Sequence, residues 1–390
     1  MHESQLALVA DPQQRSPRFT AATMGSSWLA SAVRPRGGLV VVLNPNARAV
    51  GARVIRQLRE LTRADALLIS ESPEHAGLIA RQIVQGGYET VLCGGGDGTF
   101  TRLVSEVLAL RPLRRPAFGL LRLGTGNALA NVLGAARPTA RGFAADLRSA
   151  RDRSRRVTLP LLQVEGQLAP FAGVGLDALI LEDYVSFKRS IEDTPLQRLG
   201  TGPLGYGLAI ASRSLWRYLQ APLPTVVIRN EGVAAYRIDR EGNLVGPPVG
   251  RGEELYRGPV SLAAASTIPF YGFGLRLFPQ ADQLRDRFQL RIGHVGAATL
   301  LANVPAIFRG SFADERVLDF ACTAVSIGCD GPTALQVGGD LVGRREQVKI
   351  GLRQIDAVLG SRAEDGAGMA DAGLLRAEGV AAWGGRAATA

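Results

Sequence analysis

The chain has 390 residues, 46% of them hydrophobic, which is enough for sizeable cores and long for a single one, so two domains are expected. No stretch approaches 18 uninterrupted apolar residues and residues 1–36 lack the basic start and apolar core of a secretory signal, so the reading is a cytosolic protein with no helical membrane span. Cys93, Cys322 and Cys329 are too scattered for a disulfide framework and His2, His75 and His294 have no zinc spacing, which leaves buried reduced thiols.

Met1 to about Gly38 is polar and without periodicity and reads as a tail, as does Ser361–Ala390, rich in Ala, Gly and Arg. Between them, short apolar runs alternate with amphipathic ones. Leu39–Leu43, Ala66–Ile69, Val91–Cys93 and Gly119–Leu123 read as strands buried on both faces. Val54, Ile55, Leu58 and Leu61 share a helical face, as do Ala76, Ile79, Ala80, Ile83 and Val84, and again Leu103, Val104, Val107 and Leu108. This alternation predicts a doubly wound parallel α/β domain over 39–152, with any ligand at the carboxyl ends of its strands.

After Ala150 the texture turns to Pro, Gly and short β-type runs: Val157–Val164, Thr225–Arg229, Val260–Ala265, Gln289–Ile292, Val325–Ile327 and Leu335–Val337. Helical patterns interrupt them at Ala178–Arg189 and Tyr206–Tyr218. A β-sandwich domain is expected over 153–345, followed by a segment, 346–360, that returns to the first domain.

The formal net charge is +10, nearly all of the excess lies before about residue 160, and Lys188 and Lys349 are the only lysines. The arginine clusters Arg111, Arg114, Arg115 and Arg148, Arg151, Arg153, Arg155, Arg156 either reflect coding composition or serve phosphate or anionic lipid headgroups. Nucleic acid is disfavoured, because no base-reading motif and no interleaved aromatics accompany these arginines.

Three unusual loops follow predicted strands: Asn44-Pro45-Asn46-Ala47-Arg48, Gly94-Gly95-Gly96-Asp97-Gly98-Thr99 and Gly124-Thr125-Gly126-Asn127. Glycine lets backbone N–H groups approach an anion with no Cβ in the way, and a helix start just behind adds favourable partial charge. An aspartate there would repel phosphate unless a divalent cation lies between or the carboxylate takes a proton from an incoming hydroxyl, so Asp97 points to metal-nucleotide chemistry. The alternative for Asp97 is a cap on the helix over Phe100–Leu108. No GxxxxGK[ST] occurs, neither glycine loop completes a dinucleotide fingerprint, and no G-x-S-x-G is present, which removes P-loop, Rossmann and serine hydrolase readings.

GGGDGT at Gly94–Thr99, NPNAR at Asn44–Arg48 and GTGNALA at Gly124–Ala130, with Gly175-Leu176-Asp177-Ala178, Pro279-x-Ala281 followed by Asp286, and Gly338-Gly339-Asp340, resemble the diacylglycerol kinase catalytic-domain superfamily from about Leu39 to Gly360. That superfamily includes bacterial soluble lipid kinases and sphingosine and ceramide kinases. The resemblance implies an α/β nucleotide domain and a β-sandwich lipid domain around a cleft, with transfer of the ATP γ-phosphoryl to a lipid hydroxyl of diacylglycerol or sphingoid type. It implies ATP held by Asn44, Pro45, Asn46, Ser70, Gly95, Gly96, Asp97, Gly98, Thr99, Thr101, Gly124, Thr125, Gly126 and Asn127. Asp97 would act through Mg²⁺ or directly on the hydroxyl, and Asp340 matches the acidic end of the family's Asp-Gly-Glu motif, the expected proton acceptor. A structural Mg²⁺ is expected at Asp286 with the main-chain oxygens of Gln283 and Phe288, and Asp177 either faces substrate or caps a helix.

The implied partners are a lipid at the membrane surface, reached by peripheral docking at the inner face; a homodimer is left open. Arg102 departs from the family's glutamate, Arg287 from its glycine, and Gly338 from the first acid of Asp-Gly-Glu, which keeps two other readings in view: a kinase of a soluble hydroxyl compound, and an inactive binding protein. The alternatives for the two remaining acids are a surface turn or arginine pairing for Asp286 and a hairpin turn for Asp340.

Overall fold

The computed structural model describes residues 38–62, 67–176, 178, 179, 181, 182, 223–271 and 275–364. The first part alternates β1 (Leu39–Leu43), α1 (Ala52–Thr62), β2 (Leu67–Ile69), α2 (Pro73–Gly86), β3 (Thr90–Gly95), α3 (Asp97–Ala109), β4 (Ala117–Arg122), α4 (Ala128–Val132) and α5 (Ala140–Arg151). The four strands are parallel in the order β2-β1-β3-β4. Both faces are covered because side chains alternate along each strand. Val40, Val42, Val91, Cys93, Phe118 and Leu120 share a core with Ile79 and Ile83 of α2, Phe100, Leu103, Val104 and Val107 of α3 and Leu129 of α4. Val41, Leu43, Leu92 and Leu121 pack the other way, against Leu58 of α1 and Phe143 and Leu147 of α5. Burying a side chain such as Phe100 contributes about 1.5–3 kcal/mol, and Phe100 is fully enclosed.

Local signals set the helix limits. The Ser72 hydroxyl accepts the His75 N–H, Pro73 starts α2, and Gly87 ends it at φ 63°. The chain leaves β1 to one side for β2 and returns to the other side for β3, so the carboxyl ends of β1 and β3 flank the point where strand order reverses.

The second part holds β5 (Arg156–Val164), β6 (Gln167–Ala169), β7 (Phe171–Gly175), β8 (Thr225–Asn230), β9 (Ala235–Ile238), β10 (Leu244–Val249), β11 (Glu254–Pro259), β12 (Leu262–Ser266), β13 (Phe288–Gly293), α6 (Ala297–Ala302), α7 (Val304–Arg309), β14 (Val317–Cys322), β15 (Ala324–Val337) and β16 (Asp340–Val358). One layer runs β10-β9-β14-β13-β12-β7 and ends on the second half of β15; the other joins β11 and β8 to the first half of β15, then β16, β5 and β6. Val226, Ile228, Val348 and Ile350 of one layer share a core with Val174, Ala263, Leu290 and Phe320 of the other, a sandwich. β15 crosses between layers at a register shift between Gly328 and Thr333.

The sequence reading divides β15 into Val325–Ile327 and Leu335–Val337, because the irregular stretch between them looks like a turn. It also misses β6, β7, β9, β10, β11 and β14, which are short or lack strict alternation; β10 is Leu-Val-Gly-Pro-Pro-Val with five exposed positions. α5 is missed because an arginine-rich helix buries only a few apolar side chains. The pattern at Ala178–Arg189 lies partly, and that at Tyr206–Tyr218 wholly, outside the described residues, as does Ala66.

β16 pairs with β15 over its first half and with β5 along Ile350–Val358, and Ala357 bridges Phe118 of β4, so a single hydrogen-bonded sheet runs from β2 to β10. Beyond it, Ser361–Glu364 forms a 3-10 turn held by the buried Asp146, whose carboxylate accepts the Ser361 N–H and hydroxyl (both 2.9 Å) and the Ala136 N–H (2.9 Å). The three cysteines are free, Cys93 and Cys322 buried; burial first, and the Asp97 charge second, push the Cys93 thiol up to about 12.

Candidate active site

The glycine loops meet where strand order reverses. β3 runs on through Gly94 and Gly95, beyond the apolar Val91–Cys93, and α3 begins at once with Gly96 as its N-cap. Gly96 has no side chain to cap with, and Phe100 N–H is the first to reach a helix carbonyl, that of Gly96 at 3.1 Å. The N–H groups of Asp97, Gly98 and Thr99 therefore open a 13-residue helix without a side-chain partner. This is the arrangement that binds phosphate.

The other loops brace that helix start. Asn44 donates from its Nδ2 to the Thr99 hydroxyl oxygen (3.0 Å) and accepts the Asn46 N–H at its Oδ1 (2.9 Å), while its own N–H goes to Gly94 O (2.9 Å). Asn46 Nδ2 reaches Glu71 O (3.2 Å), and Ser70 N–H donates to Leu43 O (2.8 Å), which sets Ser70 beside the β1 loop. The Thr101 hydroxyl turns back to the Asp97 and Gly98 carbonyls (3.1 and 3.3 Å), a role inside α3. A Cβ on Gly124 would lie 2.3 Å from Gly96 Cα, so the second and third loops touch through bare backbone.

Asp97 has a structural task that neither expectation named. It does not cap α3, since it lies inside that helix's first turn. Its carboxylate instead accepts the N–H groups of Ala128 (2.8 Å) and Leu129 (3.0 Å), capping α4 from across the site. Burial raises its pKa, and these N–H groups oppose the rise. Asn127 occupies the α4 cap position at φ 52°, yet its side chain turns back, with Oδ1 accepting Gly124 N–H (2.9 Å) and Nδ2 donating to Gly124 O (2.8 Å). The positive start of α4 is thus neutralised by Asp97, and that of α3 stays open to an anion.

Asp340 arrives from the β-rich part. Gly338 and Gly339, at φ 63° and 91°, form a two-residue hairpin turn between β15 and β16, a conformation in which two successive glycines cost little. The turn is pinned by Gly338 N–H to Phe171 O (2.8 Å) and Gly339 N–H to the Gln336 Oε1 (3.0 Å). It sets Asp340 Oδ2 3.9 Å from where a Gly98 Cβ would stand, beside the open end of α3. The hairpin expected at Asp340 is therefore present, and it places the carboxylate beside the start of α3. Although Asp340 is an exposed residue, the protein packed around its carboxylate raises its pKa, and Arg102, one helical turn beyond Gly98, opposes this with its positive charge. Ser105, lower on α3, accepts Leu168 N–H (3.0 Å) and donates to Thr101 O (2.7 Å), tying that helix to β6.

Asp286 is exposed in the turn before β13 and has no hydrogen bond or ion pair among the described residues. Arg287 does not pair with it. Its guanidinium donates to Ala234 O (2.6 Å) and lies 5.1 Å from the Tyr236 ring centroid. Gln283 is exposed and Phe288 buried on either side. No group of three His, Cys, Asp or Glu side chains that could hold a metal occurs among the described residues, so a cation at Asp286 would lean on main-chain oxygens and water. Asp177 lies outside the described residues.

A family model described as the diacylglycerol kinase catalytic domain matches residues 38–159, which hold all three glycine and asparagine loops. Over residues 38–159 the chain is similar to the diacylglycerol kinase catalytic domain family. Curated relatives of this diacylglycerol kinase-like chain include the "Probable lipid kinase YegS-like" protein of Enterobacter sp. (strain 638), 32% identical over 93 residues, 23% of this chain and 31% of that one. The protein of the same description from Chromohalobacter salexigens is 41% identical over 56 residues, 14% of this chain and 18% of that one. The matches thus span less than a third of those relatives' length. A solved diacylglycerol kinase structure from Bacillus anthracis str. Sterne superposes with a TM-score of 0.54 at 13% identity, covering 82% of this chain and 96% of that one. A further Bacillus anthracis str. Sterne chain reaches 0.59 at 16% identity, covering 85% and 97%. The likeness in fold therefore extends through the β-rich part that carries Asp340, and the family resemblance read from the loops holds.

Proposed function

We propose that the protein is an ATP- and Mg²⁺-dependent kinase that phosphorylates the hydroxyl of a diacylglycerol or sphingoid lipid. The observation that carries this is the meeting of an uncapped helix start with a carboxylate from the other domain, Asp340 Oδ2 standing 3.9 Å from the Cβ position of Gly98. Phosphoryl transfer asks the protein for positioning and for charge neutralisation, with little covalent work. When bound, ATP supplies the phosphoryl group and Mg²⁺ offsets the charge on its oxygens. The N–H groups of Asp97, Gly98 and Thr99 hold phosphate oxygens. Asn44 fixes Thr99, and Asp97 keeps the third loop against the second. Asp340 accepts the proton of the lipid hydroxyl, and Arg102 favours its ionised form. Asp286, with the main-chain oxygens of Gln283 and Phe288, holds a second, structural Mg²⁺.

The lipid reaches the protein by peripheral docking at the inner face of a membrane. No helix among the described residues is long and apolar enough to cross a bilayer. The turn between α3 and β4 exposes Arg111, Arg114 and Arg115 together with Leu110 and a fully exposed Leu113. At about 1 kcal/mol per basic residue near an anionic leaflet, such a group suffices for reversible docking.

The test incubates the protein with γ-labelled ATP, Mg²⁺ and vesicles carrying diacylglycerol, sphingosine, ceramide or phosphatidylglycerol. Label in one of these lipids, abolished by Asp340→Asn with ATP affinity kept, is the expected result. Label in no lipid would overturn the proposal, in favour of a soluble acceptor if water-soluble alcohols take the label and of a binding protein if nothing does.

A further inference from the structure

Three buried side-chain atoms among the described residues have no hydrogen-bond partner: Arg276 Nε, Asp282 Oδ1 and Gln336 Nε2. The first two belong to neighbours of opposite charge, 3.7 Å apart at Arg276 Nη2 and Asp282 Oδ2, which compensate one another. Gln336 has no such neighbour. It is 1% exposed, in the middle of the run Ala-Leu-Gln-Val that leads β15 into the Gly338-Gly339 turn.

The amide orientation is fixed by its surroundings. Gly339 N–H needs an acceptor, and only the oxygen of the Gln336 amide can be one, so Oε1 must face the turn and the NH₂ is left facing away. Turning the amide over would place donor against donor and lose the one hydrogen bond the amide makes. A buried donor without an acceptor forfeits its hydration with nothing in return, so such a group calls for a function or for a partner that the protein itself does not supply.

Its position narrows the ligand. Leu335 and Val337 point into the sandwich core, so Gln336 lies on the opposite face of β15. There its register partner on β7 is Gly173, which has no side chain to offer, and the next residue of β7 on that face is Phe171, packed in the core of the nucleotide domain with Phe100 and Leu103. The donor therefore sits at the root of the turn that carries Asp340, on the side turned toward the nucleotide domain. It comes from the β-rich part, whereas the phosphate-binding N–H groups belong to α3.

We propose that Gln336 Nε2 recognises the acceptor substrate by donating a hydrogen bond to an oxygen other than the hydroxyl that is phosphorylated. This rests on the kinase reading above and sharpens its substrate class. The preferred lipid carries a second oxygen beside the reacting one, as the ester carbonyl of a diacylglycerol or the second hydroxyl of a sphingoid base does, and a plain long-chain alcohol lacks the matching acceptor. A site built to hydrogen-bond a substrate group rejects the analogue without it, because its own donor is then left buried and unpaired.

Two variants separate recognition from a purely structural duty. Gln336→Glu, measured at a pH where its carboxyl is ionised, keeps an oxygen for Gly339 N–H and removes the donor, whereas Gln336→Met removes both. Calorimetry on the full chain, loaded with Mg²⁺ and a non-hydrolysable ATP analogue, compares 1,2-dioctanoylglycerol and sphingosine with 1-hexadecanol. Wild type is expected to bind at least one of the first two roughly tenfold or more tighter than the alcohol. Both variants are expected to lose that preference and to bind the ATP analogue as wild type does. Absence of preference in wild type, or its survival in Gln336→Glu, would overturn the proposal; so would a loss confined to the nucleotide analogue, which would assign the donor to phosphate. Should Gln336→Met fail to fold, Gln336→Glu alone decides. Selective binding without transfer of label from ATP would leave this recognition standing and refute the kinase reading instead.

Discussion

Asp97→Asn tests the most specific claim made for this site, that the aspartate of the glycine loop holds two loops together. Each carboxylate oxygen accepts one backbone N–H, from Ala128 at 2.8 Å and Leu129 at 3.0 Å. Asparagine keeps one acceptor and sets its NH₂ against the other N–H. A hydrogen bond to a charged group contributes about 1.5–3 kcal/mol, and the stranded N–H adds to the loss. Burial disfavours the ionised carboxylate, and removing that charge returns part of the deficit. A net destabilisation of about 2 kcal/mol is expected, which at about 2 kcal/mol per molar urea lowers the unfolding midpoint by roughly 1 M. With the α4 start no longer clamped, the third loop drifts from Gly96 and KM for ATP rises. A variant with the wild-type midpoint and normal kinetics would refute the clamp. An unchanged midpoint with activity abolished would show that the carboxylate serves the reaction directly.

Other expectations follow from the same geometry. Gly124→Ala places a Cβ 2.3 Å from Gly96 Cα, so the two loops must part; nucleotide affinity measured by calorimetry should fall about tenfold or more, and wild-type affinity would contradict the close approach. If Asp340 takes the hydroxyl proton it must be ionised, and because its pKa is raised, kcat should decline on the acid side at a pH above the ordinary carboxylate value of 3.8. Arg102→Gln removes the opposing charge and should move that acid limb to higher pH, with Arg102→Lys restoring it; an unmoved limb would separate the two residues. If a cation rests at Asp286, chelation should lower the melting temperature of wild type and leave that of Asp286→Asn unchanged, as read by differential scanning calorimetry.

The nucleotide half of the fold was legible because buried parallel strands and amphipathic helices obey two distinct periods, and the runs Leu39–Leu43 and Ala76–Val84 show each without ambiguity. The β-rich half was legible only as a texture. β10 is a proline-containing exposed strand, and β15 changes layers in mid-course, so neither shows an alternation to read. The loops were placed correctly since glycine, asparagine and aspartate after a buried strand have few other uses. The partners of their side chains were not, because a pairing such as Asp97 with Ala128 joins a carboxylate to a backbone N–H 31 residues away that carries no signal in its own side chain.

Asp340 shows how a local reading leaves a functional one open. Two glycines before an acid are an ordinary hairpin sign, and the hairpin is present. What no local pattern conveys is that β15 delivers this turn to the open end of α3, a contact between residues 98 and 340 made by sheet topology alone. Aspartate there is one methylene shorter than the glutamate of the family motif, which limits its reach. The turn sets the carboxylate itself beside Gly98, with Oδ2 3.9 Å from where a Cβ would stand. Gly98→Ala separates this account from a flexible one: with its new Cβ 3.9 Å from Oδ2, it leaves the fold intact, since that distance is ordinary contact, and it should lower kcat more than it raises KM for ATP. An unaltered kcat would mean that Asp340 does its work elsewhere than at the start of α3.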